Sequence, residues 1–251
     1  RKYKVFLRIF RALGLLFFCA IISSNAENNH VITAKLRGTQ VLPFYGFRTI
    51  EGITPTAGAE ISYEYLPTGK YTWERHWLFP RIGISLLGTD LGKQEFGQMF
   101  AVYPYLQWQL IKTRPVEFGL RFGLGVSAFS KTNQITNGAY ASVFLATGLN
   151  LQFNINRRAA ITLEVGSNHT NNGEIFLPNY TMNIMHASLG YRYQLGKYAY
   201  KEPNRIGYVK DLKYKFMINN TLATGLNYTT KKSVCQLEIV ISGMNMFKDL
   251  Y

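Results

Sequence analysis

Cysteine is nearly absent from this chain. Of its two cysteines, Cys19 sits in an apolar run near the start and only Cys235 lies beyond it. Once the start is removed, no intramolecular disulfide and no cysteine metal site can be built. The four histidines, His30, His76, His169 and His186, do not have ligand spacing, so no metal is expected. Acidic residues are also scarce, 14 against 28 Lys and Arg, for a formal net charge of +14. After residue 26 no apolar stretch approaches the roughly 20 residues of a spanning helix. Yet hydrophobic residues make up 47% of the chain and aromatic residues 15%.

The start explains part of this balance. Arg1, Lys2, Lys4, Arg8 and Arg11 precede an apolar stretch from Ala12 to Ile22, and Ser24-Asn25-Ala26 stands before Glu27. These are the basic, hydrophobic and small-residue regions of a secretory signal peptide, with cleavage expected after Ala26. The apolar stretch is too short for an uncleaved anchor. Cys19 follows Phe17 and Phe18 rather than the small residues that precede a lipidated cysteine. Removing residues 1–26 takes away five basic residues and no acidic one, leaving 23 minus 14, or +9. A surface this basic wants an anionic partner. For an exported protein that partner is a phosphorylated lipid headgroup rather than nucleic acid. Export with aromatic enrichment and no spanning helix points to the bacterial outer membrane. The absence of an initiator Met suggests a chain that is not complete at its start.

What remains alternates with period two, the mark of a half-buried strand. Val143, Leu145, Thr147, Leu149, Leu151 and Phe153 oppose Ser142, Phe144, Ala146, Gly148, Asn150 and Gln152; Phe118, Leu120, Phe122 and Leu124 oppose Glu117, Gly119, Arg121 and Gly123. Gly123 and Gly125 therefore form a small inner strand face, not a phosphate loop. Eight strands are predicted near 31–41, 56–67, 76–88, 97–110, 115–128, 139–155, 157–169 and 181–195. Most reach the roughly 9 to 11 residues that cross a bilayer. Pro104 is a blemish in the fourth, since it cannot donate to the ladder. Long connections at 44–55, 89–96, 131–138 and 170–180 alternate with shorter ones at 68–75, 111–115 and 156, as outer-membrane barrels require. The fold class is thus all-β: an eight-stranded antiparallel transmembrane β-barrel over 27–196, with a C-terminal β extension over 197–251. Glu60, Glu64, Arg81, Glu117, Arg121, Glu164 and Arg192 are expected inside, pairing with one another and leaving little channel. The alternating runs Leu212 to Ile218 and Cys235 to Ile241 could enlarge the barrel, pair with each other outside it, or begin a longer domain cut short at Tyr251; the last is expected.

The segment Ser167 to Asn183 breaks the pattern, because His169 and Asn183 fall on the lipid-facing register of the seventh and eighth strands. An imidazole facing lipid is not ordinary packing, whereas His186 falls on the inner register as a lumen hydrogen-bonder. Here the sequence resembles the outer-membrane lipid A 3-O-deacylase family, often labelled acyloxyacyl hydrolase. That family carries His-x-Ser-Asn on its penultimate strand, a Pro-Asn pair nine residues after the His, and an acidic or amide residue fourteen after it. His169, Pro178-Asn179 and Asn183 match, and the likeness runs more loosely through 56–195, including Trp77 to Gly83 and Gly190-Tyr191-Arg192-Tyr193.

The resemblance implies hydrolysis of ester-linked acyl chains on lipid A or a related outer-leaflet glycolipid, without metal or organic cofactor. His169 would be the base, Asn183 its orienting group, and Asn172 with backbone amides near Gly173 the oxyanion site. The family's nucleophilic serine falls on Asn171, which cannot attack an ester. Ser167, two residues before His169 on the same face, has the family's spacing in mirror order; Thr170 is adjacent but points inward. Lys131 and other loop cations could hold lipid phosphates. The alternative is a catalytically inactive barrel that binds lipid or stabilises the membrane. A porin ranks third, since eight strands leave little lumen.

Overall fold

In the computed structural model, the described residues are 29–42, 44–45, 48–49, 51–113, 115–132, 138–172 and 181–196, together with the backbone of 212–217, 221–229, 232–240 and 245–250. The expected signal segment, 1–26, lies outside them. Strands β1 (His30–Val41), β4 (Thr56–Tyr65), β5 (Arg81–Asp90), β6 (Gln98–Lys112), β7 (Val116–Phe129), β8 (Ala141–Asn154), β9 (Ala159–Asn171) and β10 (Met182–Gln194) close into one antiparallel barrel. Phe44–Tyr45 (β2) and Arg48–Thr49 (β3) form a small ladder in the connection between β1 and β4. Every barrel pair is antiparallel, and β1 closes the ring by pairing with both β4 and β10.

The alternation sets the register as read. Leu149 and Phe153 are 45% and 41% exposed on the outer wall, while Asn150 and Gln152 between them are buried. A slip of one residue would reverse all four. Pro104 is outward and exposed at the pairing with Ile84, and β6 and β7 shift register between Gln109 and Ile111.

The lumen is filled in two zones. Towards the end where β1 begins, all seven expected inner charges are buried, and Lys35 and Arg37 of β1, absent from the expected set, join them. Glu60 is the hub. It accepts from Lys35 at 3.3 Å, Arg37 at 2.8 Å, Arg121 at 2.7 Å and the Tyr103 hydroxyl at 2.9 Å. Glu164 pairs with Lys35 at 2.8 Å and Arg121 at 3.3 Å, Glu64 with Arg192 at 3.2 Å, and Glu117 with Arg81. The Arg121 guanidinium lies 3.6 Å from the Tyr105 ring centroid, a cation–π contact strengthened by its dry surroundings. Towards the other end the inward residues turn apolar. Leu87, Leu91, Phe96, Met99, Phe129, Phe144, Met182 and Ile184 form a buried cluster.

One expected element is corrected. The third barrel strand begins at Arg81, not at residue 76, and 68–75 is no simple turn. Residues 66–80 instead wrap around a five-residue helix, α1 (Thr72–His76). Glu74, fully buried, draws this segment inward by accepting from the Tyr65 hydroxyl at 2.9 Å and the backbone N–H of Thr68 and Tyr71 at 3.2 and 3.3 Å. Pro80, which lacks an N–H, then marks the entry to β5.

By backbone contacts the chain parts into two compact units between Pro203 and Asn204. In the second, β11 (Leu212–Met217) pairs with β14 (Asn245–Leu250), and β12 (Thr221–Thr229) pairs with β13 (Lys232–Val240). The alternating runs at 212 and 235 thus fall in strands with separate partners, and the barrel closes without them.

Candidate active site

The outward face of β9 carries Ile161, Leu163 and Val165, each at least 40% exposed, and then turns polar with Ser167, His169 and Asn171. The adjacent strands set what meets these side chains. His169 stands opposite Asn183 on β10 and Leu145 on β8; Ser167 stands opposite Met185 and Thr147. His169 Nδ1 lies 2.7 Å from Asn183 Oδ1. An amide oxygen can only accept, so Nδ1 carries the proton and the Nε2 lone pair is left to act as a base. The tautomer is therefore the one a general base needs.

Height matters as much as contact. Asn183 is ten residues along β10 from Tyr193. At roughly 3.3 Å per residue and a tilt of about 40°, the His169–Asn183 pair stands about 25 Å along the membrane normal from the Tyr193 ring, the full height of the lipid-facing apolar band. The pair thus sits at the rim from which the connections 42–55, 91–97, 130–140 and 172–181 emerge. Three connections at the opposite rim include the short ones between Lys112 and Val116 and between Asn154 and Ala159, which identifies that end as periplasmic.

The remaining site residues divide. Asn171 shares the outward face with His169. Ser167 shares it too, but its hydroxyl pairs with Thr147 Oγ1 at 3.1 Å, a partner that strand alternation alone does not single out. Thr170 is inward and buried, as expected. Asn172, just beyond the strand, is buried, whereas His169 and Asn171 are half-buried. Gly173, Pro178 and Asn179 lie outside the described residues. On the inner face, His186 Nε2 lies 3.3 Å from Glu164 Oε1, so this histidine belongs to the lumen network. Lys131 donates to Gln94 O at 2.6 Å and, with Lys93, lines an open cleft of about 400 Å³ over the β4 to β7 side of the barrel. That cleft does not include His169. Among the described residues, no group of His, Cys, Asp and Glu could hold a metal ion.

The family model for lipid A 3-O-deacylase (PagL) matches residues 57–192, more than half of the 251 residues. The chain belongs to this family. It is a lipid A deacylase-like β-barrel of the bacterial outer membrane. Among solved structures, the outer-membrane enzyme PagL is 16% identical, with a TM-score of 0.42, over 66% of this chain and 99% of that one. Neisserial surface protein A is 11% identical, TM-score 0.44, over 66% and 97%. The N-terminal β-barrel domain of Pseudomonas aeruginosa OprF is 9% identical, TM-score 0.39, over 66% and 100%. No curated protein sequence matches significantly.

Proposed function

We propose that this deacylase-family barrel hydrolyses an ester-linked acyl chain of lipid A or a related outer-leaflet glycolipid, with the nucleophile moved off the position where the family carries serine. The observation that carries this reading is the 2.7 Å contact between His169 Nδ1 and Asn183 Oδ1 on the lipid-facing wall. A histidine held in its base tautomer there has no packing role to explain it. In the lumen, by contrast, His186 is explained by its Glu164 partner.

Ser167 is the nucleophile in this scheme. His169 Nε2 takes the Ser167 hydroxyl proton as Oγ attacks the ester carbonyl carbon. The attack gives a tetrahedral oxyanion at Ser167, five residues along β9 from Asn172 and, at roughly 3.3 Å per residue, too far for Asn172 to receive it. Collapse breaks the bond to the sugar oxygen, which leaves with the proton from the imidazolium. Water then hydrolyses the acyl-serine with His169 again as base. Thr147 holds the Ser167 hydroxyl between turnovers. Asn183 orients the ring without supplying a charge for the imidazolium, so turnover is slow relative to a site with an acid there.

A second reading is an inert barrel that binds lipid or stabilises the membrane. Two observations favour it: an amide at the family's nucleophile position, Asn171, and a Ser167 hydroxyl already engaged by Thr147. Mass spectrometry of lipid A from cells with and without the protein separates the two. Loss of one acyl chain that disappears in both His169→Ala and Ser167→Ala supports the ester hydrolase. An unchanged spectrum beside a folded barrel gives the inert reading, and loss that survives Ser167→Ala shifts the attack to a water activated by His169.

A further inference from the structure

All three tryptophans of the chain, Trp73, Trp77 and Trp108, gather at the periplasmic rim. Trp73 and Trp77 belong to the connection 66–80, the longest at that end. Its outer surface is apolar and aromatic, with Tyr71 47%, Trp73 37%, Trp77 55% and Leu78 66% exposed. A connection of this composition on the wet side of a barrel runs against the rule that large exposed apolar patches are avoided unless something covers them.

The segment is also held rigidly in the shape that displays these side chains. Buried Glu74 gathers Tyr65, Thr68 and Tyr71 around itself. Leu78 and Phe79 adopt left-handed backbone conformations, with φ of 60° and 55°. Two consecutive large residues there are strained unless their surroundings dictate it. Phe79 is buried and Leu78 is thrown outward as a result. Trp77 O accepts from the Trp108 indole N–H at 2.9 Å, which ties the connection to the lipid-facing wall of β6.

We propose that the connection 66–80 is an interfacial anchor that lays Tyr71, Trp73, Trp77 and Leu78 into the phospholipid headgroup layer of the periplasmic leaflet. Lipid is the occupant rather than a periplasmic protein because the patch is continuous with the lipid-facing surface. Trp108 links it to β6, and Tyr191 and Tyr193, 51% and 43% exposed, stand at the same rim on β10. Amphipathic rings of this kind prefer the headgroup level, where one edge is apolar and the other wet. Lys70, whose ammonium lies 5.7 Å from the Tyr71 ring centroid, adds a cation suited to lipid phosphates. The anchor fixes how deep the barrel sits, and through the rigid strands it fixes the height of the His169–Asn183 pair. It stands independently of whether that pair hydrolyses anything.

Tryptophan fluorescence reads this region alone. The full chain is reconstituted into phosphatidylcholine–phosphatidylglycerol vesicles carrying acyl chains brominated either near the headgroup or near the chain end. Trp108→Phe, which leaves Trp73 and Trp77 as reporters, should lose more than half its emission to shallow bromines, less to deep ones, and little to aqueous acrylamide. Strong acrylamide quenching with no effect of bromolipid would overturn the anchor and give the patch to water or to a periplasmic protein. Should Trp108→Phe fail to fold, the same measurement on wild-type protein against Trp73→Tyr/Trp77→Tyr serves. If the two bromolipid profiles coincide, with Trp73 and Trp77 adding only acrylamide-sensitive emission, the proposal fails.

Discussion

Replacing Glu60 by Gln removes one charge from the most heavily paired carboxylate of the lumen while keeping its shape. Glu60 accepts from Lys35, Arg37 and Arg121, all buried with it, and from the hydroxyls of Tyr103, Ser62 and Ser85. In Glu60→Gln, Lys35 and Arg121 keep Glu164, but Arg37, paired at 2.8 Å with Glu60, keeps no carboxylate at ion-pair distance among the described residues. Breaking a buried ion pair from one side leaves an uncompensated charge and costs about 3–5 kcal/mol. Converted at about 1.4 kcal/mol per decade, that is roughly 10² to 10⁴ in the ratio of folded to unfolded protein. The assay is urea unfolding of the vesicle-embedded barrel, followed by tryptophan emission and by the faster gel mobility of the unboiled barrel. The midpoint should fall with an unchanged slope. Adding Arg37→Met should recover part of the loss, with a coupling of about 0.5–3 kcal/mol. A Glu60→Gln effect within about 0.5 kcal/mol, the range of ordinary surface changes, would refute the reasoning and mean that the lumen charges are solvated rather than dependent on one another.

The other predictions concern the site and its backbone. Asn183→Asp should raise turnover, because the reverse change in the serine-protease triad costs about 10⁴-fold, and Asn183→Leu should abolish it; fatty-acid release from lipid A in detergent measures both. Asn171→Ser restores the family's nucleophile on the face that already carries His169, so deacylation should increase and should no longer depend on Ser167. Gly166→Ala should impair folding by about 1–3 kcal/mol through overpacking, since a Cβ there would meet Thr147 O at 2.1 Å and Gly148 Cα at 2.8 Å; the unboiled-gel shift reports it.

Period two was the legible part of this sequence. Where inner residues are polar and outer ones apolar, as in Leu149-Asn150-Leu151-Gln152, the face of every residue follows. The same logic sets His169 and Asn183 on one face of neighbouring strands, where they stand side by side. It weakens where both faces are apolar. Met182 and Ile184 point inward into the apolar cluster at the extracellular end, yet nothing in their own chemistry distinguishes them from outward Met185 or Leu189. Lys35 and Arg37 alternate inward on β1 and complete the lumen network, but their partners on β4, β7 and β9 are distant in sequence. Helix α1 is illegible for a related reason: Trp77, Leu78 and Phe79 have strand-like side chains, while the bonds that buried Glu74 accepts from Tyr65, Thr68 and Tyr71 hold the segment away from the sheet. Nor does strand pattern disclose that the Ser167 hydroxyl meets Thr147, a cross-strand contact fixed by the β8–β9 register.

The most direct measurement is release of free fatty acid from purified lipid A by the folded barrel, wild type against His169→Ala, with both proteins shown to be folded by their unboiled gel mobility. The account predicts release by the wild type and none by His169→Ala. No release from the wild type, or equal release from both, would contradict the claim that the His169–Asn183 pair on the lipid-facing wall is an ester-hydrolysing site.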